Sequence, residues 1–189
     1  MRVGEIGDLV QEWVDGHGRQ IPGYCGAYLF GSIATLPPDA PFATYRDVDV
    51  IVVLDSGTRS TDDNLEVLYK GLMLEVGFIG LDEHRSADAL LARPDRAGNF
   101  ACTRILGDPT GLLVRVQQEV KESFAERRWI AARCDAQKQG LSASLDAMSV
   151  PPVPLLRFLA LVRVVFGMAG LLAVQRHQCH HPERCSGGG

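Results

Sequence analysis

The sequence predicts an α+β fold, in which a mixed β-sheet with flanking helices is followed by an α-helical C-terminal part. Two observations predict this class. Short runs of apolar, β-branched residues end near residue 80, whereas helical apolar stripes such as Leu112, Leu113, Val116 and Val120 follow. Because strands precede helices rather than alternating with them, the pattern favours α+β, with every strand expected within the first 80 residues.

The predicted elements follow in chain order. Apolar residues at helical spacing indicate a first helix over 5–16, and the segments 24–30, 47–54 and 72–81 have the composition of strands. The segment 60–71 is predicted to be a short helix that ends at Gly71.

Helices dominate the remainder of the predicted fold. They are expected over 86–93, from Asp108-Pro109 onward and around Trp129, with Asp108 as the cap. His84 in a turn and Arg133 on a helix are expected to face solvent.

The domain prediction places a catalytic domain at 1–93 and a helical domain at 94–176, followed by a disordered tail at 177–189. That tail packs three His and two Cys into residues 177–185. A metal site, a flexible tail that binds metal by chance, and an added or truncated end of the chain all remain open for it.

Composition narrows the class of protein. The net charge of −4 over 189 residues does not favour general nucleic-acid binding. Five widely spread cysteines, an odd number, favour a reducing compartment, and the N-terminal residues lack the apolar core of an export signal. We therefore expect a cytoplasmic protein.

One apolar segment tests that expectation. Leu155–Val174 approaches the length of a membrane span, but Arg157 and Arg163 lie inside it. A buried helix is the preferred interpretation, so no membrane partner is expected.

Three acidic residues are the main candidates for chemistry. Asp47 and Asp49 are two apart at the start of a predicted strand, so their side chains lie on one face. Because like charges repel, a cation between them is favoured, and Mg²⁺ prefers carboxylate oxygens. Glu75, alone in a third apolar run, is a natural third ligand. The alternative is that both aspartates are simply solvated at a strand end.

Gly31-Ser32 follows the first predicted strand and supplies a tight turn with free N–H groups, which is a type of turn that binds phosphate. The set Gly31-Ser32, Asp47-Val48-Asp49 and Glu75 resembles the nucleotidyltransferase superfamily of DNA polymerase β, and within it the small bacterial domains related to aminoglycoside nucleotidyltransferases. Arg46 stands where relatives often have Ser.

This resemblance implies a polymerase β-like sheet and a metal-dependent nucleotidyltransferase, which moves a nucleoside monophosphate from a nucleoside triphosphate, by default ATP, to a hydroxyl acceptor. It further implies that Gly31 and Ser32 bind the nucleotide, while Asp47, Asp49 and Glu75 are catalytic and hold two Mg²⁺ ions. A small-molecule acceptor is favoured and a protein acceptor is possible. The alternative is a catalytically degenerate nucleotide-binding protein, or an antitoxin-like protein that binds a partner.

Overall fold

The computed structural model describes residues 1–43, 47–55 and 64–149, together with Val162 and Val165. The chain divides into two compact units. The first comprises Met1–Leu90 and Gly98–Glu122, and the second comprises Leu91–Ala97 and Ser123–Gly189. The α+β prediction, with a mixed sheet and flanking helices, is confirmed.

The first unit is built on a five-stranded mixed sheet in the order β3-β4-β2-β1-β5. Strands β2 and β4 are parallel, and the other neighbouring pairs are antiparallel. The strands are β1 (Tyr24–Leu29), β2 (Val48–Leu54), β3 (Leu65–Tyr69), β4 (Leu72–Gly80) and β5 (Arg104–Gly107).

Helix α1 (Val3–Gly16) covers one face of this sheet. Its buried stripe includes Ile6, Val10 and Val14, and it packs with alternate residues of β2 such as Val50 and Val52. All five side chains are fully buried. The period of about 3.6 in the helix and of 2 in the strand produces this single apolar core.

The opposite face of the sheet is covered over part of its area. Helix α4 (Leu112–Ser123) approaches β1 at Gly26, where an added β-carbon would meet Leu113. The rings of Tyr28, His84 and Phe100 pack edge to face, with centroids 4.9 to 5.7 Å apart. His84 is only 1% exposed, so the expectation that it faces solvent is wrong.

Two short helices, α2 (Ala87–Leu91) and α3 (Ala97–Ala101), connect β4 to β5. In the second unit, α5 (Arg127–Ser149) is the longest described helix. Its Arg133 is 3% exposed, because the guanidinium donates to the carbonyls of Leu91 and Phe124 at 3.0 and 2.7 Å. The expectation of a solvated Arg133 is therefore wrong.

The helix predicted over 60–71 is wrong where the structure describes it. Residues Leu65–Tyr69 form strand β3, and Lys70-Gly71 make the two-residue turn into β4 with φ of 48° and 83°. Two consecutive positive φ angles suit a hairpin turn rather than a helix end. Gly71 does mark the end of an element, but that element is a strand.

The expectation that strands end by residue 80 is also wrong. Strand β5 is four residues long and pairs with β1 at the sheet edge. Helix α4 begins at Leu112, a few residues later than predicted, although the Asp108 carboxylate does accept from the Val114 N–H at 2.9 Å. The boundary placed after residue 93 stays a prediction.

Several expectations fall outside the described residues: the tail at 177–189, nearly all of the apolar segment 155–174, and Arg46. Among the residues that are described, none of the helices combines the length and apolarity needed to cross a bilayer.

Candidate functional site

The sheet brings two of the predicted acids directly together. In the parallel register, Asp49 on β2 is the partner of Glu75 on β4, so both side chains lie on the face opposite α1. Asp47 lies two residues before Asp49, directly before the start of β2, and is exposed. Sequence alone placed Asp47 and Asp49 on one face; the strand order adds Glu75 to it.

The predicted Gly-Ser turn lies against this acidic face. The Phe30 N–H donates to the Asp49 carbonyl at 3.0 Å, which brings the end of β1 alongside the start of β2. Gly31 has φ 72° and ψ −158°, a region that essentially only glycine occupies. A β-carbon at Gly31 would collide with the Asp49 carboxylate.

The chain after Gly31 forms a short 3₁₀ turn over Ser32–Ala34. The N–H groups of Ala34 and Thr35 donate to the carbonyls of Gly31 and Ser32 at 3.3 and 3.2 Å. Ser32 itself is exposed, so its hydroxyl is available to a ligand at the same edge as Asp49. The structure therefore brings Gly31, Ser32, Asp47, Asp49 and Glu75 to the same end of the sheet, the end at which β2 begins.

The electrostatics of this face follow from its burial. Asp49 is half-buried, and burial raises the pKa of its carboxyl, with further contributions from Glu75 and Asp47. None of the ion pairs formed by the described residues involves these three acids. Like charges therefore accumulate here without a described cationic side chain to offset them.

The donor set fits Mg²⁺ in type, because carboxylate oxygens are the ligands that this ion prefers. It fits in placement because Asp49 and Glu75 are partners on adjacent strands and Asp47 shares their face. In the described part of the chain, however, no three acidic, histidine or cysteine side chains converge closely enough to hold an ion as they stand. Mg²⁺ is often held by one or two carboxylates together with substrate phosphates, so the Asp49–Glu75 pair is the part of this set that fits such an ion.

A fourth carboxylate was missed by sequence reasoning. Glu66 on β3 is the antiparallel partner of Glu75, so Glu66, Glu75 and Asp49 form one row across three strands. It was missed because the helix predicted over 60–71 hides the strand. The alternation Leu65-Glu66-Val67 was the signal that could have revealed the strand and the acid on its open face.

Comparisons with known proteins give a weak structural likeness. No protein-family model matches the chain, and no curated protein matches it. A nucleotidyltransferase-like protein from Exiguobacterium sibiricum 255-15 has a similar solved structure, with a TM-score of 0.49 and 10% sequence identity. The likeness covers 95% of this chain and 60% of that protein, so this chain spans less than two thirds of its length. A similarity this low says nothing about the activity of this chain.

Proposed function

We propose that this protein is a metal-dependent nucleotidyltransferase, which moves a nucleoside monophosphate from a nucleoside triphosphate, by default ATP, to a hydroxyl acceptor. The observation that carries the proposal is the contact of Gly31 with Asp49 beside the Asp49–Glu75 pair. This contact places a turn suited to phosphate next to a set of carboxylates suited to Mg²⁺, at the end of the sheet where β2 begins. A cytoplasmic location is part of the same proposal.

The turn after β1 has the task of binding the triphosphate. The backbone at Gly31 and the Ser32 hydroxyl would donate to the terminal phosphate oxygens. Because Gly31 has no side chain, the phosphates can approach the carboxylates closely without meeting a β-carbon. The turn would contribute to the reaction by orienting the triphosphate beside these carboxylates.

The carboxylates have the second task. Asp47, Asp49 and Glu75 would hold two Mg²⁺ ions, which supply charge neutralisation of the phosphates and a lowered pKa of the acceptor hydroxyl. Asp49 must be ionised to act as a ligand, although burial and its acidic neighbours raise its pKa. Its negative charge is therefore held at a cost that a bound cation offsets.

The reaction balances as a displacement at phosphorus. The acceptor oxygen forms a bond to the α-phosphorus, and the bond from that phosphorus to the bridging oxygen breaks, so that pyrophosphate leaves. The hydroxyl proton passes to the Glu75 carboxylate and then to water. Glu75 is exposed on the open face, where this exchange with solvent is possible.

The test is a thermal melt of the full chain with Mg²⁺ and a non-hydrolysable ATP analogue, on wild type and on the double variant Asp47→Asn/Asp49→Asn. Ligand at a hundred times its Kd is expected to add about 2.7 kcal/mol of stability. We expect a metal-dependent rise in Tm for wild type and none for the variant. A rise that persists in the folded variant contradicts the assignment of both aspartates.

A second candidate function is a degenerate nucleotide-binding or antitoxin-like partner-binding protein. The absence of three converging ligands among the described residues is the observation that favours it. Radiolabelled ATP with Mg²⁺ separates the two functions. Pyrophosphate release, lost in Asp49→Asn, supports the enzyme, whereas analogue binding without any turnover on added acceptors supports the binding protein.

A further inference from the structure

The sheet order places the Gly31-Ser32 turn and the β3–β4 hairpin on opposite sides of Asp49. Strand β1, which leads into the turn, pairs with β2 on one side; β4 pairs with β2 on the other side, and β3 lies beyond β4. The Gly31-Ser32 turn and the β3–β4 hairpin therefore flank the acidic row from opposite directions.

Displacement at phosphorus makes this order informative. The attacking and leaving oxygens lie roughly in line through the phosphorus, so the acceptor and the pyrophosphate occupy opposite sides of it. If the terminal phosphates bind at Gly31-Ser32, pyrophosphate leaves on the β1 side. In-line attack then favours an acceptor that approaches from the β4 side, where the β3–β4 hairpin lies.

The hairpin presents a distinct chemical surface on that side. Leu68 and Met73 are direct cross-strand partners, and they are 70% and 37% exposed. Glu66 and Glu75 form the next pair on the same face. Leu68 and Met73 therefore form a small exposed apolar pair that lies directly beside the two carboxylates.

The charge of this face selects among acceptors. Glu66, Glu75 and Asp49 lie in one row, and Asp47 is two residues from Asp49 on the same face. In the proposed complex the charges of two Mg²⁺ ions and of the triphosphate offset each other, so the four carboxylates still leave this face negative and disfavour an anionic acceptor, whereas an apolar group can cover Leu68 and Met73. We infer that Leu68, Met73 and Glu66 form the acceptor subsite, and that it takes a small hydroxyl-bearing molecule with an apolar face and no anionic group.

This inference rests on the proposed function, because the nucleotide position sets the side from which the acceptor enters. It adds Glu66 as a residue that contacts the acceptor and disfavours acceptors with phosphate groups, such as RNA ends.

The experiment follows the methionine methyl signals of the full chain by NMR, with the Met73 signal assigned from Met73→Leu. The probes are tyramine, tyrosol and 4-hydroxyphenylacetate, which are similar in size and carry positive, zero and negative charge. We expect tyramine and tyrosol to shift the Met73 signal, and tyramine to bind at least about tenfold more tightly than the acid.

Three variants sharpen the result. Leu68→Ser is expected to weaken the binding of both tyramine and tyrosol. Val114→Ser changes an exposed apolar residue on α4 and is the matched control, in which the binding of both probes should stay as in wild type. Glu66→Gln is expected to narrow the preference for tyramine over the acid. Equal binding of all three probes, shifts confined to other methionines, or equal loss in Val114→Ser would overturn the inference.

A parallel titration with Mg²⁺ and the non-hydrolysable ATP analogue keeps the two proposals apart. Shifts of the Gly31 and Ser32 amide signals, together with no probe effect at Met73, reject the acceptor subsite and retain the proposed function. No analogue binding at all rejects the proposed function and the inference that rests on it.

Discussion

Gly31 lies so close to the Asp49 carboxylate that no other residue fits at position 31 without moving that carboxylate. The neighbouring Phe30 N–H donates to the Asp49 carbonyl, so two successive residues at the end of β1 contact Asp49 near the start of β2. The same glycine thus shapes the turn and sets the position of a proposed metal ligand.

Gly31→Ala is expected to destabilise the protein by about 1–3 kcal/mol, because φ 72° and ψ −158° is a region nearly restricted to glycine. Urea unfolding measures this. Gly140→Ala is the control, since nothing lies within 4 Å of its position on α5, and we expect a gain of about 0.5–1 kcal/mol there. Equal stability of Gly31→Ala and wild type would contradict the glycine requirement.

Asp49→Asn is expected to lower activity but raise the stability of the ligand-free protein at neutral pH. The pKa of Asp49 is raised in the folded state, so folding favours its protonated form. Wild-type stability should therefore fall as pH rises from the ordinary Asp pKa of 3.8 through the raised folded value. The asparagine of the variant cannot ionise, so the free energy of unfolding of Asp49→Asn should not show this fall with pH.

Urea unfolding of wild type and Asp49→Asn across pH 4 to 7 checks this sign. The stability difference in favour of the variant should grow with pH over this window and then level off. A difference that shrinks with rising pH would show that the charged carboxylate is stabilised rather than strained in the folded protein.

Gln117→Leu is expected to cost about 1–3 kcal/mol, because it removes the amide that donates to the buried Thr103 carbonyl and hydroxyl, whereas the Phe100 carbonyl keeps the donors of Thr103. The Gln117 amide donates to the Phe100 carbonyl and to the carbonyl and hydroxyl of Thr103 at 2.8 to 3.0 Å. Its neighbour Gln118 is exposed and bonds only Glu122 among the described contacts. Gln118→Leu should therefore change the free energy of unfolding little, and a similar loss in both variants would argue against a specific role for Gln117.

Arg133→Leu is expected to cost about 3 kcal/mol through loss of two carbonyl partners and of the stacking on Phe124, where the guanidinium lies 4.3 Å from the ring centre. Denaturant unfolding of the full chain provides the measurement. The exposed Arg127, at the start of the same helix, supplies the control Arg127→Leu. An unchanged midpoint for Arg133→Leu would mean that Leu91 and Phe124 find other partners.

Local patterning was sufficient to predict the elements that carry their own periodicity. The α1 stripe, the runs that form β1, β2 and β4, and the shared face of Asp47 and Asp49 all follow from periods of 3.6 and 2. Gly31 was also identifiable, because a glycine closing an apolar run predicts a turn.

The choice of neighbouring strands, by contrast, was settled by tertiary pairing. Strand β3 is short and ends in a hairpin turn, and β5 has four residues, so each is stabilised by its partner strand rather than by its own pattern. Glu66 joins the acids because β3 pairs with β4, and Glu75 faces Asp49 because β4 runs parallel to β2. Register is a property of pairs of strands, which no single segment of sequence encodes.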